Sequence, residues 1–280
     1  MVDPERQPGA QVTVTSASVS GHFGELLQGR IGTSGPVALI TLPCPVLAAH
    51  ATWRPGAFAL HQPSAKVLKP RVAHAFLSRL GLRPSGRFTL RLDMPPGGGA
   101  GASTAALVAL AKAAGVNAAA HITEACHAIE RATDPLLFRA PERILWASRL
   151  GLALSALPPL PRLDILGGFS GPPQATDPAD CAFPDIADLV AEWPAACASA
   201  TAIARLASQS ASRTIALRGP RSDPTADLAA RNGALGWSMA HTGSARALIF
   251  APGMEPQAAA ADMRRAGFTR IVRFKIGGAV

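Results

Sequence analysis

The segment Met94-Pro-Pro-Gly-Gly-Gly-Ala-Gly-Ala-Ser-Thr-Ala-Ala-Leu-Val-Ala-Leu-Ala111 constrains the fold more than any other part of the chain. Its two prolines stop the preceding element, and the glycines let the backbone turn tightly with little side-chain bulk. An Ala-rich run follows at once, and Ala is the strongest helix former. The pattern predicts a helix over 105–114 that ends at Gly115. Every face of that helix is apolar apart from Lys112, so it must be deeply buried. The N–H groups at its start lack intrahelical partners, and the helix dipole puts partial positive charge there. Donors from residues 99 to 103 would therefore hold a phosphate. Ser103 and Thr104 add hydroxyls for a phosphate oxygen or a magnesium ion, although Ser103 would serve equally as the helix N-cap.

Other phosphate loops are excluded by spacing. A Walker loop needs a Lys-Ser/Thr pair after its last Gly, whereas Lys112 lies more than two turns into the helix. A dinucleotide fingerprint needs G-x-G-x-x-G and a following acid, but the next acid here is Glu124. The 280 residues carry 27 Lys and Arg against 18 Asp and Glu, a net charge of +9. Only Lys66, Lys69, Lys112 and Lys275 are lysine, the arginines are dispersed, and the chain has no Tyr. No basic run interleaved with aromatics exists, which disfavours nucleic acid as a partner. No run approaches 18 apolar residues and the N-terminus has no signal pattern, so the expectation is a cytoplasmic protein without a membrane partner. Cys44, Cys126, Cys181 and Cys197 show no metal or disulfide spacing.

Along the chain, residues 1–10 read as a loosely attached tail and 11–19 as a strand. Further strands are expected at 37–42, 58–60 and 88–92, with a helix at 70–80 closed by Gly81. Helical character is expected over 121–131 and again over 144–157. Pro158-Pro159-Leu160-Pro161 then marks the best boundary, dividing the chain into 1–157 and 158–280. Beyond it come a strand at 162–166, a loop at 167–173 and two helices between 184 and 210. A hairpin at 237–240 and 246–250, a helix at 255–266 and a strand at 270–275 close an α+β plan.

The Pro-rich lead, the glycines and the small-hydroxyl pair resemble the second motif of the GHMP kinases, whose usual form is Pro followed by Gly-Leu-Gly-Ser-Ser-Ala. Ser20-Gly-His-Phe-Gly-Glu-Leu-Leu-Gln-Gly29 resembles the CGELxQG signature of that group's L-threonine kinase branch, linked to cobalamin side-chain synthesis and propanediol utilisation. Leu39-Ile-Thr-Leu-Pro-Cys-Pro45 is similar to the branch's following strand. Trp237-Ser-Met-Ala-His-Thr-Gly-Ser244 resembles its AHSGT segment, and Arg273-Phe-Lys-Ile-Gly-Gly278 its RFxTGG ending. The matches run in family order from residue 20 to 278.

The resemblance implies a ribosomal S5-like N-terminal half, a ferredoxin-like C-terminal half, and transfer of phosphate from ATP with Mg2+ to a small-molecule hydroxyl, L-threonine in the nearest branch. A homodimer is compatible with it. Pro96, Gly97, Gly98, Gly99, Ala100, Gly101, Ala102, Ser103 and Thr104 would hold the nucleotide, with Ser103 and Glu130 on the metal. Glu130 and Asp134 stand in a string similar to the branch's IExTD, which makes Asp134 the acid beside the acceptor hydroxyl; the alternatives are a helix-end Glu and an Asp-Pro turn. Glu25 corresponds to the family's GE motif beside the substrate, or else is an ion-paired acid at a strand end. His22 and Gln28 are weaker substrate contacts. Thr242, Gly243 and Ser244 would form a loop near phosphates or substrate, or an ordinary hairpin turn. The chain departs from the branch at Gly98, Ala102 and Ala106, and at His22-Phe23, where the branch has Ser/Thr-Cys. Those departures keep two other readings open: a nucleotide-binding pseudokinase and an RNA-associated protein.

Overall fold

A long antiparallel pair organises the molecule, a computed structural model that describes residues 14–220 and 222–278. β1 (Thr15–Arg30) and β2 (Val37–Arg54) turn back on each other through 31–36, where two glycines and a proline break the strand pattern. Up to Ser20, β1 alternates between buried and more exposed positions; from Gly21 to Gly29 it is buried on both faces. Helices α2 (Ala102–Ala113) and α5 (Ala200–Arg218) pack on it and account for that burial. The segment 21–29 is therefore interior strand, and Glu25 sits well inside β1, not at a strand end.

The sheet order is β10-β7-β9-β8-β1-β2-β4-β3, with β5 and β6 attached beside β2. Strands β3 (Ala59–His61) and β4 (Arg87–Leu92) lie on the N-terminal side of the Pro-rich break, as does α1 (Pro70–Arg79). Strands β7 (Leu163–Phe169), β8 (Gly236–Met239), β9 (Ala245–Phe250) and β10 (Thr269–Ile276) lie beyond it. A single register pair, Glu25 opposite Met239, joins β1 to β8. The two halves of the sheet meet at that seam.

Helix α2 begins at Ala102, three residues earlier than the Ala run suggests, so Ser103 and Thr104 fall in its first turn. Gly101 occupies the N-cap with φ 67°, and no side chain caps the helix; Ser103 is not the cap. Tertiary burial holds α2 in place instead. Leu107, Val108 and Leu110 are fully buried, each worth about 1.5–3 kcal/mol of removed apolar surface.

Two expectations fail here. Residues 144–157 form a hairpin, β5 (Ile144–Ala147) and β6 (Leu152–Ala156), and not a helix. Their Ala and Leu content favours helix locally, but Ala147 and Trp146 pair with Ala38 and Leu39 of β2, and that pairing overrides the propensity. The loop placed at 167–173 is strand as far as Phe169. Helix α3 (Ala119–Glu130) and helix α4 (Ala187–Ala196) lie where helices are expected. Helix α6 (Thr225–Arg231) has no counterpart in the sequence reading, and α7 (Ala259–Arg265) is shorter than its predicted span. The tail reading for residues 1–10 lies outside the described residues.

Candidate active site

Backbone hydrogen bonds tie three distant segments into one wall. His22 and Gly24 of β1 donate to the carbonyls of Ala100 and Gly99, both at 3.2 Å. Ser244 and Ala245 donate to the Gly98 carbonyl at 3.0 and 2.8 Å, and Gln174 donates to Gly97 at 2.8 Å. Gly243, at φ +100°, lies so close to the Gly97–Gly99 backbone that an added Cβ would stand 2.6 Å from it. Only glycine fits there. With its carbonyls engaged from behind, the loop presents its amides forward: among the described residues, those of 99 to 104 donate to no protein acceptor. Unsatisfied donors at a helix start favour an anion.

The amides face a cleft of about 540 Å³, a volume suited to a small-molecule site. Across it Thr104 Oγ1 donates to Glu130 Oε2 at 2.8 Å. Burial pushes the Glu130 carboxyl up to about 7, against the opposing hydrogen bonds from Ser103 and Thr104. A hydroxyl pair beside one carboxylate, at the mouth of an amide cradle, is the oxygen donor set a magnesium–phosphate complex needs.

Asp134, His22 and Glu25 form the adjoining cluster. His22 Nε2 lies 3.3 Å from Asp134 Oδ2, and Nδ1 lies 3.5 Å from Glu25 Oε1. Burial opposes a charged imidazole, but Asp134 and Glu25 outweigh it and raise His22 to about 9. Burial raises Glu25 to about 8, and Asp134 adds to the rise while His22 opposes it. The cluster thus keeps a proton on His22 at neutral pH while Asp134, the one member with appreciable exposure, faces the cleft. A carboxylate held beside an imidazolium can orient a hydroxyl and accept its proton.

Most residues singled out in the sequence line this cleft: Pro96, Gly97, Gly99 through Thr104, Glu130, Asp134, His22, Glu25 and Thr242. Gly98, Gly243 and Ser244 support the wall from behind. Gln28 does not reach the cleft; its Nε2 donates to the Met239 carbonyl at 3.2 Å and its amide to Ser210 Oγ at 2.9 Å, so it braces the seam. Sequence reasoning missed Lys66, Lys69 and Arg71 on one rim, and Ser148, Arg149, Gln174, Thr176 and His241 toward the other end. Arg149 was hidden by the helical reading of its hairpin. His241 lay inside the segment 237–244 but without a role.

No protein-family model and no curated protein sequence matches the chain. Solved structures do. Mevalonate kinase from L. major, in complex with R-mevalonate, shares 13% identity over 100% of both chains with a TM-score of 0.64. Homoserine kinase from Cytophaga hutchinsonii shares 15% identity over 98% of each chain (TM-score 0.55). A 4-(cytidine 5'-diphospho)-2C-methyl-D-erythritol kinase shares 22% identity over 96% of this chain and 100% of its own (TM-score 0.58). The α+β fold of this chain is that of the GHMP kinases, as the ordered sequence segments implied. Among the described residues no helix is long and apolar enough to cross a membrane.

Proposed function

We propose that this protein is an ATP- and Mg2+-dependent kinase that phosphorylates a hydroxyl of an amino acid or similar alcohol, with L-threonine the first acceptor to test. The carrying observation is the convergence of free amides at the start of α2, the Thr104–Glu130 contact and the Asp134–His22–Glu25 cluster on one cleft. The residues present fit the nucleotide and its metal: backbone donors for phosphate, Ser103 and Glu130 for magnesium, and Lys66, Lys69 and Arg71 at the rim as counter-charge. When bound, the metal neutralises phosphate charge. The protein's own part is to hold the acceptor hydroxyl against Asp134, which receives its proton, while His22, 3.3 Å away, orients that carboxylate. Residues 1–157 supply the nucleotide half and 158–280 the half that carries His241 and Thr242 to the acceptor. The likeness in fold to kinases acting on mevalonate and homoserine supports this reading without choosing an acceptor.

The test is incubation with Mg-ATP and L-threonine, L-serine, L-homoserine or 1-aminopropan-2-ol, followed by mass spectrometry of the products. Phosphothreonine is the expected product; a different phosphorylated compound supports only the wider activity. No product with any acceptor, alongside tight ATP binding, would favour the pseudokinase reading that Gly98 and Ala102 keep open.

A further inference from the structure

One corner of the cleft carries polar groups that the chemistry above does not use. Arg149 stands in the β5–β6 turn and lines the cleft with Ser148, Gln174, Thr176 and His241. Its Nη1 donates to Ser148 Oγ at 3.0 Å, and Nη2 reaches the carbonyls of Asp177 and Asp180 only at 3.4 Å. Its Nε has no partner. Among the described residues no carboxylate pairs with this guanidinium; the nearby Asp180 is engaged by Arg218 at 2.6 Å. Beside it His241 is buried, yet neither ring nitrogen has a partner. Phe183 stacks on that ring at 4.0 Å between centroids and 10° between planes, and Arg218 lies over Phe183 at 4.3 Å. The ring is thus fixed in orientation. Burial first, then Arg149 and Arg218, hold His241 well below its ordinary range, so it is neutral and offers one donor and one acceptor. A rigid, unsatisfied imidazole beside an unpaired guanidinium in a cleft is a preorganised anion site.

We propose that Arg149 and His241 bind the carboxylate of the acceptor, so that the protein acts on hydroxy acids and discriminates against neutral alcohols. This rests on the kinase reading for the identity of the acceptor. Placement separates the acceptor from the nucleotide as the source of the anion. The phosphate cradle is the amide wall of 99–104, whereas the hairpin that carries Arg149 is bonded directly to the segment of Asp134. The Thr133 amide donates to the Ser148 carbonyl at 3.0 Å, and Trp146 Nε1 donates to the Thr133 carbonyl at 2.6 Å. One hydrogen-bonded unit therefore sets the spacing between the carboxylate that takes the hydroxyl proton and the cation that anchors the far end of the acceptor. An acceptor without the anion leaves the buried His241 ring and the half-buried Arg149 guanidinium unpaired, which is a ground for rejection.

The experiment is calorimetric binding of L-threonine, L-serine, L-homoserine and 1-aminopropan-2-ol to the full chain, with and without the ATP analogue AMPPNP and magnesium. Wild type, R149Q and H241F are compared, the last retaining the stack on Phe183 while removing both nitrogens. Wild type should bind at least one of the three acids and prefer it to the aminoalcohol. R149Q should weaken that acid by about 10- to 100-fold, H241F should weaken it in the same direction, and both should leave AMPPNP affinity unchanged. The proposal is overturned if the aminoalcohol binds as tightly as the acids, if none of the acids binds, or if R149Q loses AMPPNP affinity instead. Turnover is read separately: acid binding without phosphorylation refutes the kinase reading and leaves the anion site, and phosphorylation of the aminoalcohol at equal efficiency does the reverse.

Discussion

Replacing Gly101 by Ala tests whether the phosphate loop and the acid–imidazole cluster are one device. Gly101 has φ +67°, and a Cβ built there would lie 2.6 Å from His22 Cδ2 and 3.0 Å from Leu136 Cδ1. The substitution carries two costs. Left-handed backbone costs a non-glycine residue roughly 1–2 kcal/mol. Forcing the His22 ring aside is an overpacking event, typically about 1–3 kcal/mol, and His22 has little room because Glu25 and Asp134 crowd it at 3.5 and 3.3 Å. Gly115 provides the control: its φ is +89°, but nothing lies within 4 Å of a built Cβ, so G115A incurs the backbone cost alone. For a chain of this size 1 kcal/mol moves Tm by about 2–4 °C. G115A should therefore lower Tm by about 2–8 °C with unchanged kcat, whereas G101A should fall roughly 2–12 °C further and lose turnover as His22 leaves Asp134. Thermal unfolding by circular dichroism and steady-state ADP release read the two effects. Equal Tm losses with equal kcat in the two variants would show that the loop and the cluster are independent, and the coupling argument would fail.

Three other outcomes are expected. D134N keeps the shape of the side chain and loses its charge, so kcat should fall by roughly 10²-fold or more while Tm holds; unchanged turnover would reduce Asp134 to a turn residue. E130Q should weaken nucleotide affinity measured with magnesium by about 10-fold or more and leave affinity in EDTA unaltered, and equal losses in both would remove Glu130 from the metal. His22, raised from 6.5 to about 9, and Glu25, raised from 4.5 to about 8, both bind protons more tightly in the folded chain. Stability from His22 is then complete below pH 6.5 and lost as pH rises through about 9, and Glu25 acts in the same direction between 4.5 and 8. Urea midpoints should therefore decline from pH 6.5 to 9, less steeply in a H22Q/E25Q double variant; an identical slope in both would exclude the cluster as its source.

The phosphate wall was legible because glycines carry their reason with them. A run of Gly before an Ala-rich helix is common by itself, and the ordered segments around Glu25, Asp134 and Gly243 made it specific. What the sequence hid depends on contacts between remote residues. The β5–β6 hairpin is written in helix-forming letters, and only β2 makes it strand, so Arg149 could not be placed on the cleft. Ser103 looked like a cap because the chain does not say where the left-handed residue falls; Gly101 takes that position. Gln28 shares a motif with Glu25, yet their side chains diverge. Glu25 borders the cleft, whereas the Gln28 side chain turns to the Met239 carbonyl. Motif membership gave proximity without direction.

The seam explains why the site is built at this cost. β1 meets β8 through one register pair, Glu25 and Met239, and the polar atoms lacking partners concentrate near it: His22 Nδ1, both oxygens of Glu25, Gln28 Oε1, Ser238 Oγ and both nitrogens of His241. Buried polar groups normally find partners, since each orphan costs about 1–3 kcal/mol. A row of them along one junction violates the local consistency seen elsewhere in the core, and such violations mark function rather than folding. Of that row His22, Glu25 and His241 line the cleft, so their unpartnered atoms sit where a bound molecule would supply the missing hydrogen bonds.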